Sequence, residues 1–431
     1  MISFFLFNRE LDFSDPIQSF GVDVRVEAQR PFVLRPVIRV ETTSGDRFQY
    51  LLAECPEIDG PSWASCEGLF TVPSDMVTSS VSKLEVRLGG TSNVDFDVDN
   101  IEVVIDGNPP NVLVVNKDVH QKWASGAEIL VTSHTSDYGG HQVREIVEIQ
   151  AHSDGQQAKI ILDSPIIPPT TQRDSVDFAV EVALLSRNIV FEGDSDPNPL
   201  HGGHFIVMHT PLVEQHIEGI EFVNFGQQGT LGRYPIHFHM SGDCNGSVVL
   251  KNSIRHSKQR AVVIHGTDNV EVRENVAFDT QGHGYMTEDG IERGNRFIRN
   301  LAAFTRAVTD VIPDNGFNGH ETDGMPASFW ASNPSNSWVG NVAAGSQNSG
   351  FWFELRLRGM KADIYASILN PRTSALGEFL DNVAHSNADR GLRTYPVGWL
   401  PDEKANLIGF KSYRNGKKGT THFISSVDRF L

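Results

Sequence analysis

Basic residues are in short supply in this sequence: 36 lysines and arginines stand against 54 aspartates and glutamates, a formal net charge of −18. Nonspecific nucleic-acid binding needs cationic surface that displaces counterions from phosphate, so the charge argues against that function class, and a polyanionic ligand would need a local basic patch. Long apolar runs are missing too, and no window reaches the roughly 20 residues that span a bilayer. Only three cysteines occur. Cys55 and Cys66 bracket "PEIDGPSWAS", a loop that a disulfide would close in an exported protein and that two thiols would leave open in a reducing one, while Cys244 is left over. The opening "MISFFLFNRE" lacks a basic leader and a small-residue cleavage site, which makes it a poor signal peptide and points to a fragment or a displaced start.

What is abundant is short β-type segments. Val/Ile/Phe-rich runs are punctuated throughout by Gly, Asn, Asp, Ser and Thr, the pattern of an all-β chain. At 431 residues the chain is too long for one ordinary core, so two domains or an elongated repeat array are expected. Alternating runs such as "VDVRVEA", "VIRVET", "LEVRLGG" and "VDFDVDNIEVVID" predict a β-sandwich over residues 1–107, and "FDVDNIEVV" resembles the last strand of jelly-roll carbohydrate-binding modules. The turn "GNPPN" then marks a boundary, and a β-rich junction occupies 108–184.

Beyond the junction, asparagines serve as a ruler. Asn224, Asn252, Asn275, Asn300, Asn341 and Asn382 each follow a short apolar strand, with the shortest spacings in the low twenties. Such a period with tolerated insertions predicts a right-handed parallel β-helix, or solenoid, over 185–431, with asparagines in the left-handed bends and their amides stacked from coil to coil. Thirteen residues on from four of these asparagines lie His265, Glu288, Glu354 and Tyr395. The Asn224 coil reaches His237 or His239 at the same place. Strand alternation then sends Ile206, Ile236, Phe238, Val262, Ile264, Phe351 and Phe353 one way, into a core. The opposite, outer face is expected to carry Val207 and His209, His237 and His239, His265, Glu288, Trp352 and Glu354, Arg393 and Tyr395.

Outer faces of solenoids are solvated, so a single polar residue there needs no function; Lys, Glu, Thr and Ser are the usual occupants, however, and a register of His, His, His and Glu is not. Two chemistries suit it. His237, His239, His265 and Glu288 are candidate ligands for a first-row metal, which favours imidazole. Alternatively, His237, His239, His265, His283, Glu288 and Asp289 are candidate acids and bases for hydrolysis or β-elimination of a sugar chain. In that case Arg233, Arg260 and Arg393 would meet uronate carboxylates, Trp352 and Tyr395 would stack on sugar rings, and Glu354 would line the groove. Asp289-Gly290 also reads as a plain turn, and His283 as a bend residue. Lys251, Arg255, Lys258 and Arg260 form either a local basic patch or ordinary solvated charge.

The blocks "GGHFIVMH", "FGQQGTLGRYPIHFHMSGD", "VIHGTDN", "DTQGHGYMTEDGIE", "FWASNPSNSWVGNVAAGS" and "GFWFEL" resemble the β-helix region of the cell migration-inducing and hyaluronan-binding protein family, which includes the transmembrane cell-surface hyaluronidase and the fibrocystin-like proteins. Similarity runs from "KWASGAEILVTS" (122–133) to near residue 400. The resemblance implies an extracellular or cell-surface protein that binds hyaluronan or another uronan and, in some members, contributes to its calcium-dependent depolymerisation. It covers Arg233, His237, His239, His265, His283, Glu288 and Asp289 without assigning their roles. The family usually places a glycine-rich domain where this chain has its sandwich-like unit. The expectation is therefore a hyaluronidase-like depolymerase of an acidic polysaccharide with a divalent cation as possible cofactor; a non-catalytic glycan-binding adhesion or matrix protein is the alternative, and a structural spacer with an incidental metal site a third.

Overall fold

The computed structural model describes residues 2–5, 17–26, 32–42, 47–51, 55, 57–58, 63–71, 81–90, 96–104, 111–115, 119, 122–151, 157–166, 180–194, 198–210, 213–312, 322–357, 367–394, 396–416 and 418–421. Among these residues there is no helix. The chain divides into two compact units, Met1–Ser136 with Gln142–Val182, and Asp137–His141 with Ala183–Leu431.

The first unit is antiparallel. Ile2–Phe5, Val81–Gly90, Phe32–Thr42 and Arg47–Leu51 form one sheet in that order, and Glu57–Ile58 adds to the start of Phe32–Thr42. Trp63–Thr71, Ile17–Val26 and Phe96–Val104 form another, so the run containing "FDVDNIEVV" is a strand paired along its length. A further antiparallel sheet joins Glu128–Val131, Gln142–Ala151, Ala158–Leu162 and Val112–Val115. Cys55 and Cys66 are joined in a disulfide with their Cα atoms 5.1 Å apart, and Cys244 is a free, half-buried thiol.

The second unit is a parallel β-helix, as the asparagine spacing and the resemblance led one to expect. Its strands fall into three stacked parallel sheets, each coil contributing to them in turn. The first sheet begins with Ile189–Glu192 and ends with Lys411–Tyr413; the third runs from His216–Glu218 to Glu378–Leu380. The second sheet carries the histidines and consists of Ile206–Val207, Ile236–Asp243, Val262–Asp268, Tyr285–Thr287, Ala327–Ala331, Ser349–Phe353, Arg390–Arg393 and Lys418–Thr421.

Because pairing is parallel and in register, like residues stand over like. Ile236, Val262, Tyr285, Phe329, Phe351 and Leu392 form one inward column, and Phe238 and Ile264 belong to the next. The coil spacing of about 4.8 Å suits face-to-face aromatic stacking. Phe297 lies on Trp338 at 4.1 Å, and Phe329 on Phe351 at 4.7 Å, each pair within 10° of parallel. The first coil departs from the expected alternation by one residue. Val207, not Ile206, aligns with Phe238 and enters the core, while Ile206 aligns with His237. Two residues of strand are too few for alternation to reveal their register.

The asparagine ladder is real but differs in detail from the sequence reading. Asn252, Asn275, Asn300, Asn341 and Asn382 sit at the corner between the third and first sheets. Each of the first four donates both its backbone N–H and its side-chain amide to the Oδ1 of the next, at 2.9 to 3.1 Å. The left-handed residue is the one before each asparagine: Lys251, Glu274, Arg299, Gly340 and Asp381. Asn224 does adopt a left-handed φ, but at a different corner, after the first-sheet strand Ile220–Val223, and is no rung of this ladder. Left-handed φ tolerates Asn among L-residues, so an asparagine after a strand is ambiguous between the two corner positions.

Removing a rung leaves buried donors and acceptors unpaired on both neighbouring coils, at about 1 to 3 kcal/mol each. Asn300→Ala is therefore expected to lower the unfolding free energy by about 3 kcal/mol or more in a denaturant titration; a loss under about 1 kcal/mol would show that the ladder contributes little.

Candidate functional site

Within Ile236–Asp243, alternation sends Ile236 and Phe238 inward and His237 and His239 outward. The outer face is not solvated as expected. Tyr234, Val263, Met286, Ile312, Trp330 and Trp352 make a second buried apolar cluster there. Tyr234 lies in the segment leading into the strand, and Ile312 in the long connection before Ala327–Ala331. His237 is covered as part of this arrangement and is only 1% exposed, its ring 4.9 Å from that of Tyr234. Its Nδ1 donates to the carbonyl of Gly232 at 3.0 Å, which leaves Nε2 as the bare lone pair. Nε2 is buried and has no hydrogen-bond partner among the described residues. Burial pushes this imidazole down to about 3, the bond to Gly232 only partly opposing it.

His239 and His265, aligned in adjacent coils, are half-buried and face each other through their Nδ1 atoms at 3.1 Å. His265 Nε2 contacts Asp289 Oδ2 at 3.0 Å, and its Nδ1 lies 3.7 Å from Glu288 Oε2. Burial works against a charge on His265, yet the Asp289 bond and the charges of Glu288, Asp289 and Glu292 outweigh it and raise the imidazole to about 9. Burial and the neighbouring His265 lower His239. The row His239–His265–Asp289 thus runs from a part-exposed ring to a nearly buried carboxylate.

Behind this row is a buried ionic network. Arg260 is fully buried; its Nε and Nη2 donate to Asp323 at 2.9 to 3.1 Å, and its Nη1 donates to Glu288 Oε1 at 3.0 Å and Tyr234 Oη at 3.2 Å. Burial would raise the Asp323 carboxyl, but Arg260 and His283 outweigh it and hold it below the ordinary range. His283 is itself fully buried, accepts the Ala327 N–H on Nδ1 at 3.0 Å, and meets Thr322 Oγ1 through Nε2 at 3.1 Å. It stands against Trp330 with ring centroids 4.3 Å apart, so it supports the network from within. Glu292 receives the backbone N–H groups of Gly266, Asp289 and Gly290 at 2.8 to 2.9 Å, clamping the turn that presents Asp289.

The structure brings His237, His239, His265, Glu288 and Asp289 together, with Arg260 and His283 beneath them. Other predicted residues lie elsewhere. Arg233 is exposed, with Nη1 2.7 Å from His204 Nε2. Trp352 presents no open platform: it is 2% exposed, and Arg393 lies over its ring at 3.5 Å. Glu354 is buried and paired with Arg356. Tyr395 lies outside the described residues. The basic patch dissolves, because Arg255 is paired with Glu221 at 2.6 Å and Arg260 is internal. Sequence reasoning missed Tyr234, Asp323 and Glu292. Tyr234 could have been found inside "GRYPIHFH"; Asp323 has no local signal, since its coil carries the long insertion before "SFWAS".

One ring nitrogen from each of His237, His239 and His265 lies within 4.8 Å of the others, a spacing from which three imidazoles can converge on one cation. Calcium takes six to eight oxygen ligands, and this nitrogen set does not suit it; the calcium implied by the resemblance has no fit here.

Residues 200–392 match the CEMIP beta-helix family. This segment is a CEMIP β-helix. Human "Cell surface hyaluronidase CEMIP2" is 30% identical over 350 residues, covering 73% of this chain and 24% of its own length. The Danio rerio "Cell surface hyaluronidase" is 31% identical over 366 residues, covering 76% of this chain and 25% of its own. Mouse "Fibrocystin-L" is 31% identical over 317 residues, covering 63% and 7%. The chain therefore spans about a quarter of the cell-surface hyaluronidases it matches. Among solved structures, the catalytic domain of a GH87 α-1,3-glucanase in complex with nigerose aligns over 97% of this chain and 78% of its own at 8% identity and a TM-score of 0.20, too low to support any inference. No helix among the described residues is long and apolar enough to cross a membrane.

Removing one partner of a buried ion pair strands the other, so Asp323→Asn is expected to cost about 3 to 5 kcal/mol at pH 7. The folded Asp323 carboxyl titrates below its unfolded value, so its stabilisation is present above about pH 4 and fades as the pH falls below that. Denaturant titrations at pH 7 and pH 3 should show the deficit of the variant shrinking at the lower pH; an equal deficit at both would remove Asp323 from the charge network.

Proposed function

We propose that this chain binds and cuts an acidic polysaccharide, with hyaluronan the first candidate, at the place where the His239–His265–Asp289 row reaches the surface beside Glu288. The observation that carries this reading is the row itself, seated in a CEMIP β-helix: a part-exposed imidazole backed by a second imidazole and a carboxylate is a proton path of the kind a glycosidic oxygen or a sugar C–H would need. The names of the hyaluronidase relatives point to the same substrate class. In the proposal His239 touches substrate and gives up its Nε2 proton, the His265 imidazolium, held on Asp289, replaces it through Nδ1, and Glu288 supplies negative charge beside the reacting sugar. Arg260 acts as a positioning residue that holds Glu288, and exposed Arg233 is the candidate partner for a uronate carboxylate. His283 is reassigned from acid or base to support of Asp323.

The division into 1–107, 108–184 and 185–431 is carried into the proposal: the amino-terminal sandwich-like unit would hold glycan and raise its effective concentration at the β-helix. An extracellular or cell-surface location accompanies it, supported by the names of the relatives and by the Cys55–Cys66 disulfide, which belongs to oxidising compartments.

The test is incubation of the purified chain with hyaluronan and a panel of other uronans, followed by product sizing and absorbance of unsaturated ends. Shortened chains are expected, and His239→Ala and Glu288→Gln should each reduce cleavage at least about 100-fold, the scale of lost acid–base catalysis. Glutamine replaces Glu288 because this side chain is buried against Arg260. Polymer left intact but retaining the protein would overturn the depolymerase in favour of a binding protein.

A further inference from the structure

We propose that His237, His239 and His265 form a site for one first-row transition-metal ion of the zinc class, with Glu288 as its carboxylate arm. The site shares a pocket with the proposed glycan chemistry but does not rest on it, since only the donor geometry is used.

Three features point to an ion. The first is the bare Nε2 of His237. An imidazole nitrogen that is buried and without a partner among the described residues is costly to leave unsatisfied, and its tautomer is already set, by the Gly232 carbonyl on the other nitrogen, in a form that can ligate metal. The second is the pair of Nδ1 atoms 3.1 Å apart on His239 and His265. One hydrogen shared between them accounts for this separation in the metal-free chain, and a metal ion that displaces it would find both nitrogens already turned toward one point. With Zn–N bonds of about 2.0 to 2.1 Å, tetrahedral nitrogens stand about 3.4 Å apart, within a few tenths of the observed separation. The widest spacing in the triad, up to 4.8 Å, closes by about 1.4 Å of side-chain rotation.

The third feature is the surrounding shell. Metal-ligating histidines commonly hold their second nitrogen on a carboxylate or carbonyl, which orients the ring and raises its basicity. His265 does so with Asp289 at 3.0 Å and His237 with Gly232 at 3.0 Å. Glu288 offers a divided carboxylate: Oε1 is taken by Arg260, and Oε2 faces His265 at 3.7 Å. The Arg260 charge that would otherwise repel a cation is matched by Asp323. Three imidazoles and a carboxylate select zinc, cobalt or a similar ion over calcium or magnesium. The part-exposed His239 marks the entry side.

The experiment uses the full chain, stripped with chelator and desalted, with no glycan present. Co²⁺ is titrated while visible absorption is recorded, and Zn²⁺ and Ca²⁺ are titrated by calorimetry. Expected are one ion per chain, a Co²⁺ spectrum of four-coordinate type abolished by Zn²⁺, and no displacement by millimolar Ca²⁺. His239→Ala should weaken Zn²⁺ binding by about 100-fold or more and Asp289→Asn by about 10- to 100-fold, whereas His209→Ala, outside the cluster, should bind as the parent does. Thermal unfolding of each variant without metal verifies that it is folded, and the near-isosteric Asp289→Asn, which keeps all three imidazoles, keeps the test decisive if His239→Ala is not. Absence of saturable Zn²⁺ binding, or unchanged binding in a folded His239→Ala or Asp289→Asn chain, overturns the metal site. Polymer cleavage is read separately, by product size with metal-free and metal-loaded chain, so failure of the metal site and failure of the glycan reading are told apart.

Discussion

Coil-to-coil hydrogen bonding in parallel register is the constraint on which the second unit depends. Each coil passes its backbone N–H and C=O groups to the next, so a residue can be buried only if its counterparts one coil above and below accept it. For apolar columns this is met by stacking, as with Phe297 on Trp338. For a polar column it is met only by a side chain that both donates and accepts along the stack. Asparagine does so with one amide, giving to the coil on one side and receiving from the coil on the other. The ladder and the fold are one arrangement.

The same constraint builds the candidate site. Parallel register sets His239 over His265 across a single coil step, and the turn after Tyr285–Thr287 brings Glu288 and Asp289 to the next level. Backbone pairing alone would leave these groups on a wet face, where imidazole contacts are weak. The segments carrying Tyr234 and Ile312 cover that face and exclude water from His237 and Arg260. In the lower dielectric beneath them charges interact strongly, which is why His237 and His265 are driven in opposite directions although both are histidines of one sheet.

Much of the fold was legible because a period and an alternation are local properties. "GRYPIHFH" shows its two faces in eight letters, and the asparagines keep time through insertions. Legibility failed where strands are short or partners distant. Ile206–Val207 is too brief to reveal its register, and Asn224 copies the local context of a ladder rung while occupying another corner. Trp352 and Arg393 alternate outward as expected, yet they cover each other rather than offering a surface to sugar. Asp323 follows an insertion of a length the period does not predict, and nothing near it announces Arg260 as its partner.

By itself the sequence determined that this is an all-β chain ending in a parallel β-helix, that it belongs with the CEMIP β-helices over residues 200–392, and that histidines and acids share one face of one sheet. Such features follow from spacing along the chain. Which of those side chains stay wet, which become buried partners of one another, and where an imidazole nitrogen is buried without a partner among the described residues were decided only by tertiary structure. Burial and charge pairing depend on segments that fold over the sheet from far along the chain, and distance along the chain carries no record of distance in space.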